Sequence, residues 1–293
     1  MTLQPHADAI LPEKIFHTTV VDLNYAERSG NRPAIVFLHG IGRTWRDFLP
    51  LIPAFAESQV YALDLRGHGK SGRVANAYAS GDYAADVIAF LKHNLDRPAV
   101  ILGHSLGGMI ALRVAAEVPK LVRAIIVGDT VLCRDSLASS MYQELFVGLY
   151  EIVMTRAPGQ QLAKRLAQVQ VRVPGLEEPV GLGELLGNRT DLQEWADCLE
   201  MLDPAALRAI IDASTFKDFD CEGVLKRIHC PVLILQANPQ LGGLMSEEAL
   251  EKVQRHLPHV EVARFRLLGH ALHLGRAQPV IEAVEKFMAA ISI

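Results

Sequence analysis

The chain has 293 residues, half of them hydrophobic and 21% charged, with a formal net charge of -4. That length suits one large domain, or one domain carrying a sizeable insertion, and that composition excludes a disordered chain. The mild acidity gives no general attraction to nucleic acid or to anionic membrane. No apolar run reaches the roughly 18 residues a membrane-spanning helix needs.

The N-terminal stretch MTLQPHADAILPEK has no basic start followed by an apolar run, so it does not read as a secretory signal. Within Lys14–Glu27 the segment HTTVVDLNYAE partly alternates, which suggests an antiparallel start to a sheet. Short Val-, Ile- and Leu-rich runs then follow at Ala34–Leu38, Val60–Leu63, Ala99–Leu102, Ala124–Val127, Pro231–Leu235 and Val260–Phe265. They do not alternate with polar residues, the pattern of strands covered on both faces of a parallel sheet. Helical patterns lie at Trp45–Glu57, Tyr83–Asn94, Leu106–Glu117, Glu247–His256 and Val280–Ile291. Alternating strand and helix predicts an α/β architecture with right-handed crossovers.

The alternation stops between Cys133 and about Lys226. This stretch reads as helices only, at Leu137–Arg156, Gln160–Val169, Leu192–Leu202 and Pro204–Ser214, punctuated by Pro158, Pro174, Pro179 and Gly187. The expected organisation is a core made of residues 1–132 and 227–293, with residues 133–226 inserted as a helical cap over the edge of the sheet where ligands usually bind. The four cysteines, Cys133, Cys198, Cys221 and Cys230, form no C-x-x-C pair. They are expected as reduced thiols of a cytoplasmic protein, with no zinc site.

Three motifs carry chemistry. Gly103-His104-Ser105-Leu106-Gly107 follows the run AVIL and precedes the helical run MIALRVAAEV. A G-x-S-x-G pentapeptide between strand and helix is the context of an exposed nucleophilic serine on a tight turn, where bulky neighbours would clash. The helix dipole behind Ser105 favours developing negative charge. His39-Gly40-Ile41-Gly42 closes the strand AIVFL, and acyl transfer needs backbone N–H donors aimed at an oxyanion. The expected donors are Ile41 and Leu106, with His39 holding the loop rather than reacting. Gly269-His270 follows the last predicted strand. A serine hydroxyl is a poor nucleophile near neutral pH and needs an imidazole to take its proton. His270 is the expected base, and His273 is its rival.

With these motifs the chain resembles the α/β-hydrolase superfamily along nearly its whole length. The turn Asp64-Leu65-Arg66-Gly67-His68-Gly69-Lys70-Ser71 is similar to the superfamily's D-x-R-G-x-G-x-S turn, and Leu268–His273 to its histidine loop. The resemblance implies a mostly parallel central sheet flanked by helices with an inserted helical cap, and within the superfamily it is greatest to the capped esterase and lipase-like branch. It also implies that Asp64 and Arg66 brace the loop beside the oxyanion hole, outside the catalytic set.

The acid of the expected triad departs from the family pattern. After the strand PVLILQ, where a carboxylate is usual, stand Asn238 and Gln240. An amide accepts a hydrogen bond from imidazole but supplies no full charge to an imidazolium. Asp129, at the end of the strand AIIVG, gives the serine–acid–histidine order of the fold and is the first candidate. Asn238 as a neutral partner, and Glu247 or Glu248, stay open as alternatives.

The cap contributes Met141, Tyr142, Phe146, Leu149, Tyr150, Met154, Leu162, Leu166, Trp195, Leu199 and Met201. Most of these would be packing residues, and the rest would line an apolar pocket over Ser105. The expected activity is hydrolysis of small to medium, mostly apolar carboxylic esters through an acyl-enzyme, without cofactor or metal. The expected partner is a small-molecule ester, with no nucleic acid. Alternatives are a carbon–carbon bond hydrolase or cofactor-free dioxygenase on the same scaffold, and a non-catalytic ligand-binding receptor. Dehalogenase and most epoxide hydrolase chemistry is disfavoured, because it needs an aspartate where Ser105 stands.

Overall fold

The structure, a computed structural model, describes residues 11–132, 142–172, 176–187, 189–274 and 276–291. Cys133, Met141, Pro174 and the start of the helix expected from Leu137 lie outside the described residues, as do residues 1–10 of the N-terminal stretch.

Eight strands form one sheet: β1 (Glu13–His17), β2 (Asp22–Arg28), β3 (Arg32–Leu38), β4 (Ser58–Leu63), β5 (Ala99–His104), β6 (Val122–Gly128), β7 (Val232–Ala237) and β8 (Glu261–Phe265). Their spatial order is β1-β2-β4-β3-β5-β6-β7-β8. The first pairings, β1 with β2 and β2 with β4, are antiparallel, and every later pairing is parallel. This is the mostly parallel α/β-hydrolase sheet that the motifs imply.

The apolar runs fail to alternate because both faces of the sheet are covered. Val36, Leu38, Ile101, Ile125, Val127 and Ile234 belong to one buried cluster, with helix α1 (Ser80–Asn94) and helix α2 (Leu106–Glu117). Their sequence neighbours Ile35, Phe37, Val100, Leu102, Ile126 and Leu235 belong to the opposite cluster, with Trp45, Phe48 and the final helix Gln278–Ala290. Successive side chains point to opposite faces of a strand, so each run supplies two cores at once.

Two expectations are corrected here. The helix expected at Trp45–Glu57 is two short 3-10 turns, Trp45–Phe48 and Ile52–Phe55. Pro50 and Pro53 remove N–H donors that a continuous α-helix would need. The inserted stretch is also not helices only. Between β6 and β7 the chain forms helices Tyr142–Met154, Gly159–Gln168, Leu182–Leu186, Arg189–Glu200, Pro204–Ile211 and Cys221–Lys226, and Gln170–Val171 pairs antiparallel with Val180–Gly181. No helix among the described residues is long and apolar enough to cross a membrane.

Candidate active site

The loops at the carboxyl ends of β3, β5, β6 and β7, with the segment after β8, bring the sequence-predicted residues together. Ser105 follows β5 directly and adopts φ 53°, ψ -116°, a conformation L-residues rarely take. Its N–H donates to the Gly128 carbonyl (2.8 Å), and Thr130 Oγ1 donates to its carbonyl (2.5 Å), so the turn is held from β6. The flanking glycines are required by close approach. A Cβ at Gly103 would lie 2.1 Å from the Gly107 carbonyl oxygen, and one at Gly107 would lie 2.0 Å from that of Leu38.

Asp129 closes β6, with φ 39° and no solvent exposure. Its carboxylate accepts N–H bonds from Leu244 (2.8 Å), Met245 (3.1 Å) and Ala237 (3.3 Å). The remaining contact of Oδ2 is His270, whose Nδ1–H donates to it across 2.7 Å. A buried carboxylate accepts several bonds at once, and among the described residues Asp129 has these four donors. The Tyr142 ring packs against the imidazole, with centroids 5.1 Å apart, while its hydroxyl donates to the Gly242 carbonyl. Burial first, and then the Asp129 charge, push the Tyr142 phenol well above its ordinary range. His104 Nε2–H donates to the His270 carbonyl (2.8 Å), fixing the histidine segment to β5. Ser105 and His270 line one cleft, and no hydrogen bond joins Ser105 Oγ to the imidazole in this conformation. Such a bond is often loose until substrate is present.

The other candidates are placed elsewhere. Asn238 does not face the imidazole. Its Oδ1 accepts from the Gln240 N–H (2.9 Å) and its Nδ2 donates to the Arg266 carbonyl (2.7 Å), so it shapes the turn after β7. Glu247 accepts from Gln236 Nε2 at 2.9 Å, while the Nδ1 partner of His270 is Asp129. His273 is buried and stacked on Phe48, with centroids 5.1 Å apart and planes 12° apart, and its Nε2 has no hydrogen-bond partner among the described residues. Burial pushes its pKa down to about 4.

Ile41 and Leu106 border Ser105 in a small apolar hollow. Neither backbone N–H has a hydrogen-bond partner among the described residues. For Leu106 this follows from its place in the first turn of α2, where N–H groups have no intrahelical acceptor. His39 holds the loop: Nδ1–H donates to the Gly40 carbonyl (2.8 Å) and Nε2 accepts from the Leu65 N–H (3.0 Å). Burial lowers its pKa to about 4, consistent with a neutral ring. Asp64 accepts from Asn24, the Trp45 N–H and the Lys70 N–H, and Arg66 grips Asp86 with two bonds of 2.6 and 2.7 Å. Both lie in a buried brace behind the loop.

Sequence reasoning missed the polar wall of the cleft. Arg43 follows the His39–Gly42 loop directly. It binds Asp47 through Nε and Nη2 and lies 5.7 Å from the centroid of the Trp195 ring. Burial opposes its charge, and Asp47 outweighs that, raising the Arg43 pKa above its ordinary value. Glu194 borders the same cleft, its pKa raised by burial and then by the Asp191 charge. The spacing of Arg43 and Asp47, four residues apart just after H-G-x-G, was the available signal. Among the described residues no group of three His, Cys, Asp or Glu side chains could hold a metal ion.

Residues 35–283 match the model of the alpha/beta hydrolase family. The chain belongs to this family. It is similar to a pimeloyl-[acyl-carrier protein] methyl ester esterase of Xanthomonas oryzae pv. oryzae, 28% identical over 265 residues, which covers 89% of this chain and 97% of the relative. Among solved structures it is similar in fold to an enol-lactonase from Burkholderia xenovorans, with TM-score 0.73, 17% identity, and coverage of 94% of this chain and 100% of that one. It is also similar to E-2-(acetamidomethylene)succinate hydrolase, with TM-score 0.66, 22% identity, and coverage of 95% and 99%. The protein is accordingly a hydrolase of the alpha/beta family.

Proposed function

We propose that the protein is a serine hydrolase that cleaves carboxylic esters through an acyl-enzyme, with Ser105 as nucleophile, His270 as base and Asp129 as acid. The observation that carries this reading is the 2.7 Å bond from His270 Nδ1–H to the buried Asp129 carboxylate, with Ser105 on a strained turn in the same cleft. That bond fixes the tautomer, leaving Nε2 unprotonated to take the serine proton.

In the first half-reaction Ser105 Oγ attacks the ester carbonyl while its proton passes to His270 Nε2. Asp129 stabilises the imidazolium, and the Ile41 and Leu106 N–H groups receive the developing oxyanion. The alcohol leaves with the proton from Nε2. Water, deprotonated by His270, then releases the acid and restores Ser105. Residues 133–226 act in this reading as a cap, supported by the lining that Tyr142, Leu145, Phe146 and Trp195 give the cleft. The esterase relative supports the ester class. A cytoplasmic location belongs to the same proposal, in keeping with the free thiols of Cys198 and Cys230.

The test is labelling with a fluorophosphonate together with stopped-flow hydrolysis of p-nitrophenyl acetate. Label on Ser105 and a burst of one p-nitrophenolate per active site are the expected results. A folded protein that neither takes the label nor turns over any ester of a panel would overturn the reading.

A further inference from the structure

His270 sits on a loop, yet two neighbouring strands hold it. Oδ2 of Asp129, just past β6, accepts from its ring Nδ1–H (2.7 Å). Nε2–H of His104, the last residue of β5, donates to its backbone carbonyl (2.8 Å). His104 and Gly128 are partners across β5 and β6, and the residues that follow them are Ser105 and Asp129. At the same level the Ser105 N–H donates to the Gly128 carbonyl (2.8 Å). One rigid sheet edge thus carries Ser105 and both tethers of His270 side by side.

We infer that His104 is a positioning residue, whose bond to the His270 carbonyl sets where the imidazole stands relative to Ser105. This rests on the reading of Ser105 and His270 as nucleophile and base. A bond at Nδ1 alone leaves the ring free to swing about that contact, and Nε2, which has to meet the serine proton, would swing with it. A second tether on the backbone of the same residue removes that freedom. The gain is large, because a misplacement of about 1 Å in such a site can cost on the order of 10²-fold in rate.

The ring of His104 is held at a cost. A carbonyl only accepts, so Nε2 carries the proton and Nδ1 is left with a bare lone pair. That Nδ1 is buried and has no hydrogen-bond partner among the described residues. A buried polar atom left unpaired lowers stability, and an apolar ring would avoid the penalty. Burial first, and then the neighbouring His270 and His273, push the His104 pKa far below the ordinary histidine value, so the ring stays neutral and in one tautomer.

The ring also has little room to turn. Its centroid lies 4.6 Å from that of His270 and 4.8 Å from that of His273, and a Cβ on Gly40 would come within 3.3 Å of Nδ1. His273 is in turn stacked on Phe48. His104 therefore meets both ends of the segment 270–273, by a hydrogen bond at one end and by ring packing at both.

The test compares His104→Phe, His104→Asn and His104→Gln in the full chain, with p-nitrophenyl acetate as substrate. Fluorophosphonate labelling of Ser105 and urea unfolding are run beside the kinetics. Phenylalanine keeps a ring and loses the donor. Glutamine places an amide N–H about where Nε2–H stands, and asparagine places the same group one methylene short. His104→Phe and His104→Asn are expected to lower kcat about tenfold or more and to slow labelling in parallel. KM should stay within about threefold, because His270 serves both half-reactions. His104→Gln is expected to keep kcat within about threefold of wild type. If His104→Phe does not fold, the asparagine and glutamine variants decide, since they differ only in reach. Equal kcat in those two folded variants, or a fully active His104→Phe enzyme, overturns the inference, while a labelled Ser105 leaves the acyl-enzyme reading standing. A loss confined to KM overturns it as well. Wild-type protein that takes no label and turns over no ester overturns the acyl-enzyme reading and this one with it.

Discussion

Asp129 and His270 stand 141 positions apart in the chain, yet Oδ2 of one lies 2.7 Å from Nδ1 of the other. The contact depends on three backbone N–H groups that hold the carboxylate, Ala237 at the end of β7 and Leu244 and Met245 beyond it. Asp129→Asn should therefore do two things. It should lower ester hydrolysis by a large factor, on the order of 10⁴ as in the best-studied serine protease. It should also cost about 1–3 kcal/mol of stability, because an amide NH₂ would face N–H donors. Steady-state kinetics and urea unfolding of the same sample check both parts. A fully active Asp129→Asn enzyme would remove Asp129 from the mechanism.

The proposed nucleophile and base, Ser105 and His270, should behave as one unit. Ser105→Ala and His270→Ala are each expected to lower kcat by about 10⁴–10⁶, and the double variant by little more than either alone. A double variant whose losses multiplied would show that the two groups act independently. Circular dichroism is needed beside the kinetics, because the strained backbone at Ser105 is released only by rearranging the turn.

Asn238 should be nearly dispensable for chemistry. Its side chain serves the turn before Gly242, and its hydrogen bonds go to Arg266 and Gln240 rather than to His270. Asn238→Ala is expected to keep kcat within about threefold of wild type while losing about 1 kcal/mol of stability with its two hydrogen bonds. A hundredfold loss of kcat at unchanged stability would return Asn238 to the site.

Much of the fold was legible because β3, β5 and β6 are covered on both faces, and such strands announce themselves as unbroken apolar runs. The α/β class and the mostly parallel sheet follow from these runs and the motifs, whereas the spatial order of the strands comes from the structure alone. What misled was local. Trp45–Glu57 carries apolar residues at helical spacing, but Pro50 and Pro53 withhold the N–H groups of an α-helix. The polar cleft wall was hidden because nothing in a sequence says that Arg43 and Trp195, 152 positions apart, will face each other. The acid position was ambiguous for the opposite reason. Asp129 and Asn238 end strands whose order in the sheet, not in the chain, decides which side chain reaches the imidazole.

Acid stability should expose the buried histidine stacked on Phe48. His273 titrates in the unfolded chain at about 6.5, while burial lowers its folded value to about 4. Between these values the unfolded state binds more protons, so folding stability rises with pH through the window and is lost as pH falls through it. A shift of that size corresponds to about 3 kcal/mol, present above pH 6.5 and gone below pH 4. His273→Phe keeps an aromatic ring against Phe48 and removes the titration. Its unfolding free energy, followed by urea titration from pH 7 to pH 4, should fall less than wild type by about that amount. Parallel curves for the two proteins would show that His273 does not titrate on unfolding.

The brace behind the His39–Gly42 loop gives a test of structure without chemistry. Arg66 is almost fully buried, holds Asp86 with two short bonds and donates to the Ala77 carbonyl. Removing one partner of a buried pair leaves an uncompensated charge, which costs about 3–5 kcal/mol. Asp86→Ala should therefore lower the unfolding free energy by that amount, because Arg66 has no second carboxylate closer than Asp82 at 3.9 Å. At a temperature where the variant is still folded, its kcat for p-nitrophenyl acetate should stay within a few-fold of wild type, since neither residue lines the cleft. A stable Asp86→Ala protein with kcat reduced a hundredfold would instead mean that this pair sets the position of Ile41, and that the loop's geometry rather than its mere stability depends on it.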